Sequence, residues 1–135
     1  MNYGIVSQQQ LENIEEVLKD DLIAIGVDCA ILIDMAGNTL AKQDNGSRKL
    51  DVYSLAALAA GNYASIDAIA KLVGEAEFSL LYHKGENVSI HFTKVNDDIL
   101  LVMIFDSKVS LGMLRLKSAE SVKKINEIRK SVTRQ

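Results

Sequence analysis

Two carboxylates, Asp28 and Asp34, bracket the apolar run DCAILID, and two histidines, His83 and His91, lie on either side of a Gly85-Glu86 turn. A carboxylate pair can serve as acid and base when both groups reach one bond. At the rise of an extended chain Asp28 and Asp34 stand roughly 20 Å apart, at opposite ends of one strand, too far for that work. Solvation at the strand ends is their expected use. His83 and His91 could approach each other across a hairpin, but a metal needs further ligands and neither a third histidine nor a nearby cysteine exists. Cys29 is the single cysteine, so no internal disulfide forms, in keeping with a reducing cytoplasm. Gly46-Ser47 lacks the G-x-x-x-x-G-K-S/T frame of a phosphate loop, and G-x-S-x-G and H-E-x-x-H are absent too. The residues predict no metal, no cofactor and no self-contained catalytic site.

Bulk properties narrow the classes further. A chain of 135 residues is the size of one domain, so 1–135 is read as a single domain with one core. Hydrophobic content of 48% with 24% charged residues is that of a globular protein. A net charge of −3 gives no footprint for nucleic acid or an acidic membrane surface. The start, MNYGIVSQQQ, has no secretion-signal pattern, and no apolar run reaches the about 18 residues that span a bilayer. A cytoplasmic protein without membrane insertion is expected.

The elements follow from periodicity. Ser7 and Gln10 form a capping box ahead of Leu11, Ile14, Leu18, Leu22 and Ile25, a helix that Gly26 ends. Asp28 to Asp34 reads as a strand covered on both faces, Ala36-Gly37-Asn38 as a turn, and Thr39 to Asp44 as the return strand. Asn45 to Asp51 is a loop ending in an N-cap. Phe78 to Lys84 and Asn87 to Val95 form a second hairpin, Ile99 to Phe105 is the apolar centre of the sheet, and Ser110 to about Ser131 a last helix. Residues 1–44 hold two bases against eight acids, while eight bases against three acids follow from Asp106. The acidic first helix and basic last helix are expected to lie side by side with solvated outer faces. The fold class is α+β: a single five-stranded antiparallel sheet in the order α-β-β-α-β-β-β-α, with the central helix on one face and the terminal helices on the other.

That central helix, LAALAAGNYASIDAIAKLVG, is apolar or small nearly all the way round, and Asp67 and Lys71 are its only charges. At 100° per residue Leu55, Leu58, Ile66, Ile69 and Val73 form one stripe, expected to face the core, with Asn62 near its centre. A buried amide needs partners, so Asn62 is expected to have a structural role, bonded at the strand ends or across a dimer. The opposite row, Ala57, Gly61, Ala64, Ala68 and Leu72, has no long polar side chains and suits close approach by another chain. Phe78 to Lys84 is a candidate edge strand with little to blunt it. Two copies pairing strand to strand and helix to helix about a two-fold axis would cover both liabilities. Phe78, Leu80, Tyr82, Ala60 and Tyr63 are the expected dimer contacts.

The runs LAALAAGNYASIDAIAKLVGEAEF, YHKGENVSIHF and LLVMIFDSKVSLGMLRL resemble the Roadblock/dynein-light-chain superfamily, in particular its bacterial MglB-like branch, from about Leu11 to Ile128. The resemblance implies a homodimer with one continuous sheet, whose paired central helices dock a Ras-like small GTPase of the MglA type. It implies stimulation of GTP hydrolysis in polarity and motility systems by reorganising the GTPase's switch regions, with no arginine finger supplied. The row Ala57, Gly61, Ala64, Ala68 and Leu72 is then expected at or next to the GTPase-contacting face, the competing reading being that the dimer's own helix-helix contact consumes it. Branch members often carry a C-terminal tail with a second GTPase contact; this sequence ends at Gln135, so no tail-borne contact is expected. The alternatives are a non-activating Roadblock-type scaffold and a small-molecule sensor of PAS-like shape. Bulky Leu, Ile and Phe filling the interior speak against the sensor.

Overall fold

The computed structural model describes residues 7–78 and 81–133. Helix α1 spans Gln8–Val17, and its capping box is formed: Ser7 Oγ accepts from Gln10 N at 3.1 Å and Gln10 Oε1 accepts from Ser7 N at 2.9 Å. The helix widens into a π turn at Leu18–Leu22, tightens to a 3-10 turn at Ile23–Ile25, and ends at Gly26, whose φ of 111° suits glycine. Strands β1 (Cys29–Asp34) and β2 (Thr39–Asp44) form the first hairpin, α2 (Val52–Leu72) crosses the sheet, and β3 (Leu81–Lys84), β4 (Ser89–Asn96) and β5 (Ile99–Phe105) follow before α3 (Leu111–Thr133).

The strands make one antiparallel sheet in the order β2-β1-β5-β4-β3. The expected element order and fold class hold, and the ILLVMIF strand is central as its composition requires. Every residue of β1 and β5 is buried, because helices cover both faces. Alternation along these strands divides the core. Ala30, Leu32, Leu101 and Met103 pack with Ile14, Leu18, Leu114 and Ile125 of the terminal helices. Ile31, Ile33, Leu100, Val102 and Ile104 pack beneath Ala56, Ala59 and Ala60 of α2.

An inward ion pair ties the terminal helices. Asp21, 6% exposed, accepts from Lys124 Nζ at 3.0 Å and from Ser121 Oγ at 3.2 Å. The other acids of α1, such as Glu12, Glu16 and Asp20, face outward, as the solvated-face reading requires.

Asp28 and Asp34 correct an expectation. Both are buried, at 2% exposure, rather than solvated. Asp34 accepts from Ala36 N, Asn38 N and Asn38 Nδ2 at 2.9–3.0 Å and so builds the β1–β2 turn. Asp28 accepts from Arg48 Nε at 2.8 Å and Asn45 Nδ2 at 3.0 Å, anchoring the loop that feeds α2. Burial alone would raise the Asp28 carboxyl; the Arg48 and Asn45 hydrogen bonds and the charges of Arg48 and Lys108 hold it below its ordinary value. The histidines are also separated. The register sets His83 opposite Ile90 and Tyr82 opposite His91, so successive-strand alternation puts the two imidazoles on opposite faces of the sheet. Cys29 is 1% exposed and burial pushes its thiol up to about 11, so it packs as a small apolar group.

Candidate functional site: the outward face of the central helix

Asp51 caps α2, accepting from Ser54 N at 3.1 Å and Ser54 Oγ at 2.7 Å. Two devices hold this end. The Asp28–Arg48 clasp fixes the preceding loop, and the β1–β2 turn presses Gly37 onto the helix backbone. A Cβ at Gly37 would stand 2.7 Å from Ala57 Cα, and its φ of 89° also selects glycine.

The helix meets the sheet through alanine. Ala56 is 1% exposed, Ala59, Ala60 and Ala70 are buried, and Val52, Leu55, Tyr63 and Ile66 are half-buried. The inward positions 56, 59, 63 and 70 are each one residue beyond the expected stripe at 55, 58, 62 and 69. The helix is therefore turned by roughly 100° from the expectation. Leu58 at 73%, Ile69 at 47% and Val73 at 65% exposure point outward, correcting their assignment to the core. The physical reason lies below the helix: the sheet supplies Ile31, Ile33, Leu100, Val102 and Ile104, and small side chains above that bulky floor let the helix settle close.

Two further corrections follow from the same rotation. Asn62 is exposed, not buried, and its Oδ1 lies 3.2 Å from His83 Nε2 on β3. Ala60 is 5% exposed against the sheet, which leaves it no surface for a second copy. Of the other expected dimer contacts, Phe78 is exposed, Tyr63 is half-buried, and Tyr82 is half-buried with its ring stacked on Phe105 at 6.1 Å. Leu80 lies outside the described residues.

The outward row Ala57, Gly61, Ala64, Ala68 and Leu72 is exposed throughout, as expected. Beside it runs a second row that the periodicity assigns to the core: Leu58, Ile69 and Val73, with Asn62 among them. The Asn62–His83 contact puts this bulky flank on the β3 side, while Gly37 against Ala57 puts the small flank toward the β1–β2 turn. Tyr53, 81% exposed, and Leu72, 86% exposed, stand toward the two ends. The face is apolar or small except at Asn62 and Ser65, both exposed on it. Among the described residues no group of three or more His, Cys, Asp or Glu side chains is placed to hold a metal, and no helix is long and apolar enough to cross a membrane.

Residues 13–105 match the Roadblock/LC7 domain. The chain belongs to the Roadblock/LC7 family. Solved structures of MglB proteins place it in the MglB-like branch. The gliding protein MglB of Thermus thermophilus is 31% identical, with 93% of this chain and 95% of that one covered at a TM-score of 0.84. MglB of Myxococcus xanthus is 30% identical, covering 93% and 94% at 0.84. An MglB described as having a tetrameric arrangement is 30% identical, covering 93% and 94% at 0.86. No curated protein sequence gave a significant match.

Proposed function

We propose that this MglB-like protein is a cytoplasmic homodimeric docking module that binds a Ras-like small GTPase of the MglA type and stimulates its GTP hydrolysis. The observation that carries the reading is the outward face of α2, where Leu58, Ile69, Leu72 and Val73 lie exposed beside a row of Ala and Gly. The bulky flank borders β3, an edge strand, so one second copy could cover both. The small row Ala57, Gly61, Ala64 and Ala68 faces away from that edge and suits a switch region lying flat. Similarity to MglB proteins, one of them named a gliding protein, supports a role in polarity or motility.

The chain has no catalytic part of its own in this reading. A protein that binds the hydrolysis-competent arrangement of the switch regions more tightly than the ground arrangement shifts the GTPase toward it, and the GTPase's own residues stabilise the transition state. Arg48 is unsuited to act as an inserted finger because Asp28 already holds its guanidinium.

The deciding experiment times GTP hydrolysis by the MglA-type GTPase encoded in the same genome, with and without the purified chain. Acceleration at stoichiometric amounts is expected. Binding without acceleration would leave a scaffold of the Roadblock type, and no binding would reject the GTPase as partner.

A further inference from the structure

The loop that carries the chain from β2 to α2 holds the one asparagine of the sequence that is followed by glycine, Asn45-Gly46. Such a pair can modify itself. The glycine nitrogen attacks the asparagine Cγ, ammonia leaves as the new C–N bond closes a cyclic imide, and one water opens the imide at either carbonyl to aspartate or isoaspartate. No enzyme is needed. The requirements are a Cγ held near the attacking nitrogen, no side chain on the second residue, and access to water.

The fold meets all three. Asn45 Oδ1 accepts from Ser47 N at 2.9 Å, an Asx turn whose ring contains both Cγ and the Gly46 nitrogen and so folds the carboxamide back toward its attacker. Gly46 N donates to Asp44 Oδ1 at 2.8 Å, which sets a carboxylate on the proton that the nitrogen must release. Asn45, Gly46 and Ser47 are exposed, and a Cβ built on Gly46 would meet nothing within 4 Å. The leaving group is a structural one. Asn45 Nδ2 donates to Asp28 Oδ1 at 3.0 Å, and Asp28, 2% exposed, also accepts from Ser47 Oγ at 3.4 Å and Arg48 Nε at 2.8 Å of the same loop. After the reaction a carboxylate stands where that donor stood, so like charges meet at a buried group. The isoaspartate product also lengthens the backbone by one methylene just ahead of α2.

We propose that Asn45-Gly46 is a self-modifying site whose product opens the Asp28 clasp and loosens the entry to α2. It holds whichever partner α2 docks, and the isolated chain suffices to test it. The purified protein is kept at mildly alkaline pH, and the segment 43–48, released by cleavage after Lys42 and Arg48, is mapped by mass spectrometry with fragmentation that separates isoaspartate from aspartate. Both products should accumulate at position 45, about tenfold faster than at any other asparagine and no slower than in the chain unfolded in urea. Slower conversion in the fold than in urea, or aspartate without isoaspartate, overturns the proposal. The consequence is read separately. Asn45→Asp should lower the melting temperature by several degrees, and more than Asn45→Ser, which removes the same donor without adding a charge. Combined with Asp28→Asn it should lose less than the two single variants together, because donor and acceptor exchange places. An Asn45→Asp variant that melts with the wild type, or no lower than Asn45→Ser, shows that the product leaves the clasp closed and rejects the proposal.

Discussion

Helices α2 and α3 cover opposite faces of one sheet and use opposite side-chain logic. Helix α3 buries large side chains: Leu114 and Ile125 are fully buried, Arg115 and Lys123 face water, Lys124 reaches back to Asp21, and Met113 and Leu116 near its start are exposed. Helix α2 buries alanine and leaves Leu58, Ile69, Leu72 and Val73 exposed. The first sets large side chains such as Leu114 and Ile125 against its own chain. The second half-buries Val52, Leu55, Tyr63 and Ile66 but leaves four other large apolar residues on the side that its own chain does not cover, and such a face is expected to be covered by another chain. The sheet makes this workable, since its β-branched and leucine side chains fill the layer that a helix would otherwise have to fill.

The comparison is broken most severely from beneath α2. Ala56→Leu would push a larger side chain into the layer formed by Ile31 and Leu100, and overpacking of this kind costs ~1–3 kcal/mol; a melting temperature several degrees lower by calorimetry is expected. An unchanged value would mean that the helix is not seated on alanine. Asp28→Asn should cost ~1–2 kcal/mol at neutral pH by weakening the Arg48 clasp. Because the Asp28 pKa is depressed in the fold, its contribution is complete above the unfolded value of about 3.9 and is lost as pH falls through the lower folded value. The difference between wild type and Asp28→Asn should therefore narrow in urea titrations taken below about pH 4.

On the outer side the fold should barely respond. Leu58→Ser with Ile69→Ser is expected to change monomer stability by less than ~1 kcal/mol, against the ~2–5 kcal/mol of a core leucine truncation, while weakening self-association measured by sedimentation. A loss of core size would return both residues to the interior. Asn62→Ala is expected to have the smallest effect, a few tenths of a kcal/mol by thermal melting, because its contact with His83 is exposed.

Most of the architecture is legible from period and caps. Ser7 with Gln10, and Asp51 before α2, start helices where the structure starts them, and the all-apolar ILLVMIF is the central strand. The orientation of α2 is not legible, for a definite reason. A helix that is apolar or small on every side offers no polar face to point away from the core, so the stripe of large residues decides the expectation. The floor of the sheet decides the outcome. The burial of the two carboxylates escapes a sequence reading because their donors, Arg48 and Asn45 for Asp28 and Asn38 for Asp34, sit in turns whose folding back onto a strand end has no periodic signal. In the sequence His91 stands out only as half of a metal-ligand pair, whereas the burial of its Nε2 exists only in three dimensions.

The central claim, that the outward face of α2 docks a GTPase, is tested most directly by Ala64→Arg with Ala68→Arg, read by mass and by binding to the GTP-loaded MglA-type protein. Both positions are exposed, so the fold should stand, and two long charged side chains in a close contact should cost several kcal/mol of binding. The account predicts a double mutant that remains dimeric and no longer binds or stimulates the GTPase. A double mutant that falls to monomers would assign this row to the dimer contact instead, and one that stays dimeric and stimulates hydrolysis at the wild-type rate would contradict the account.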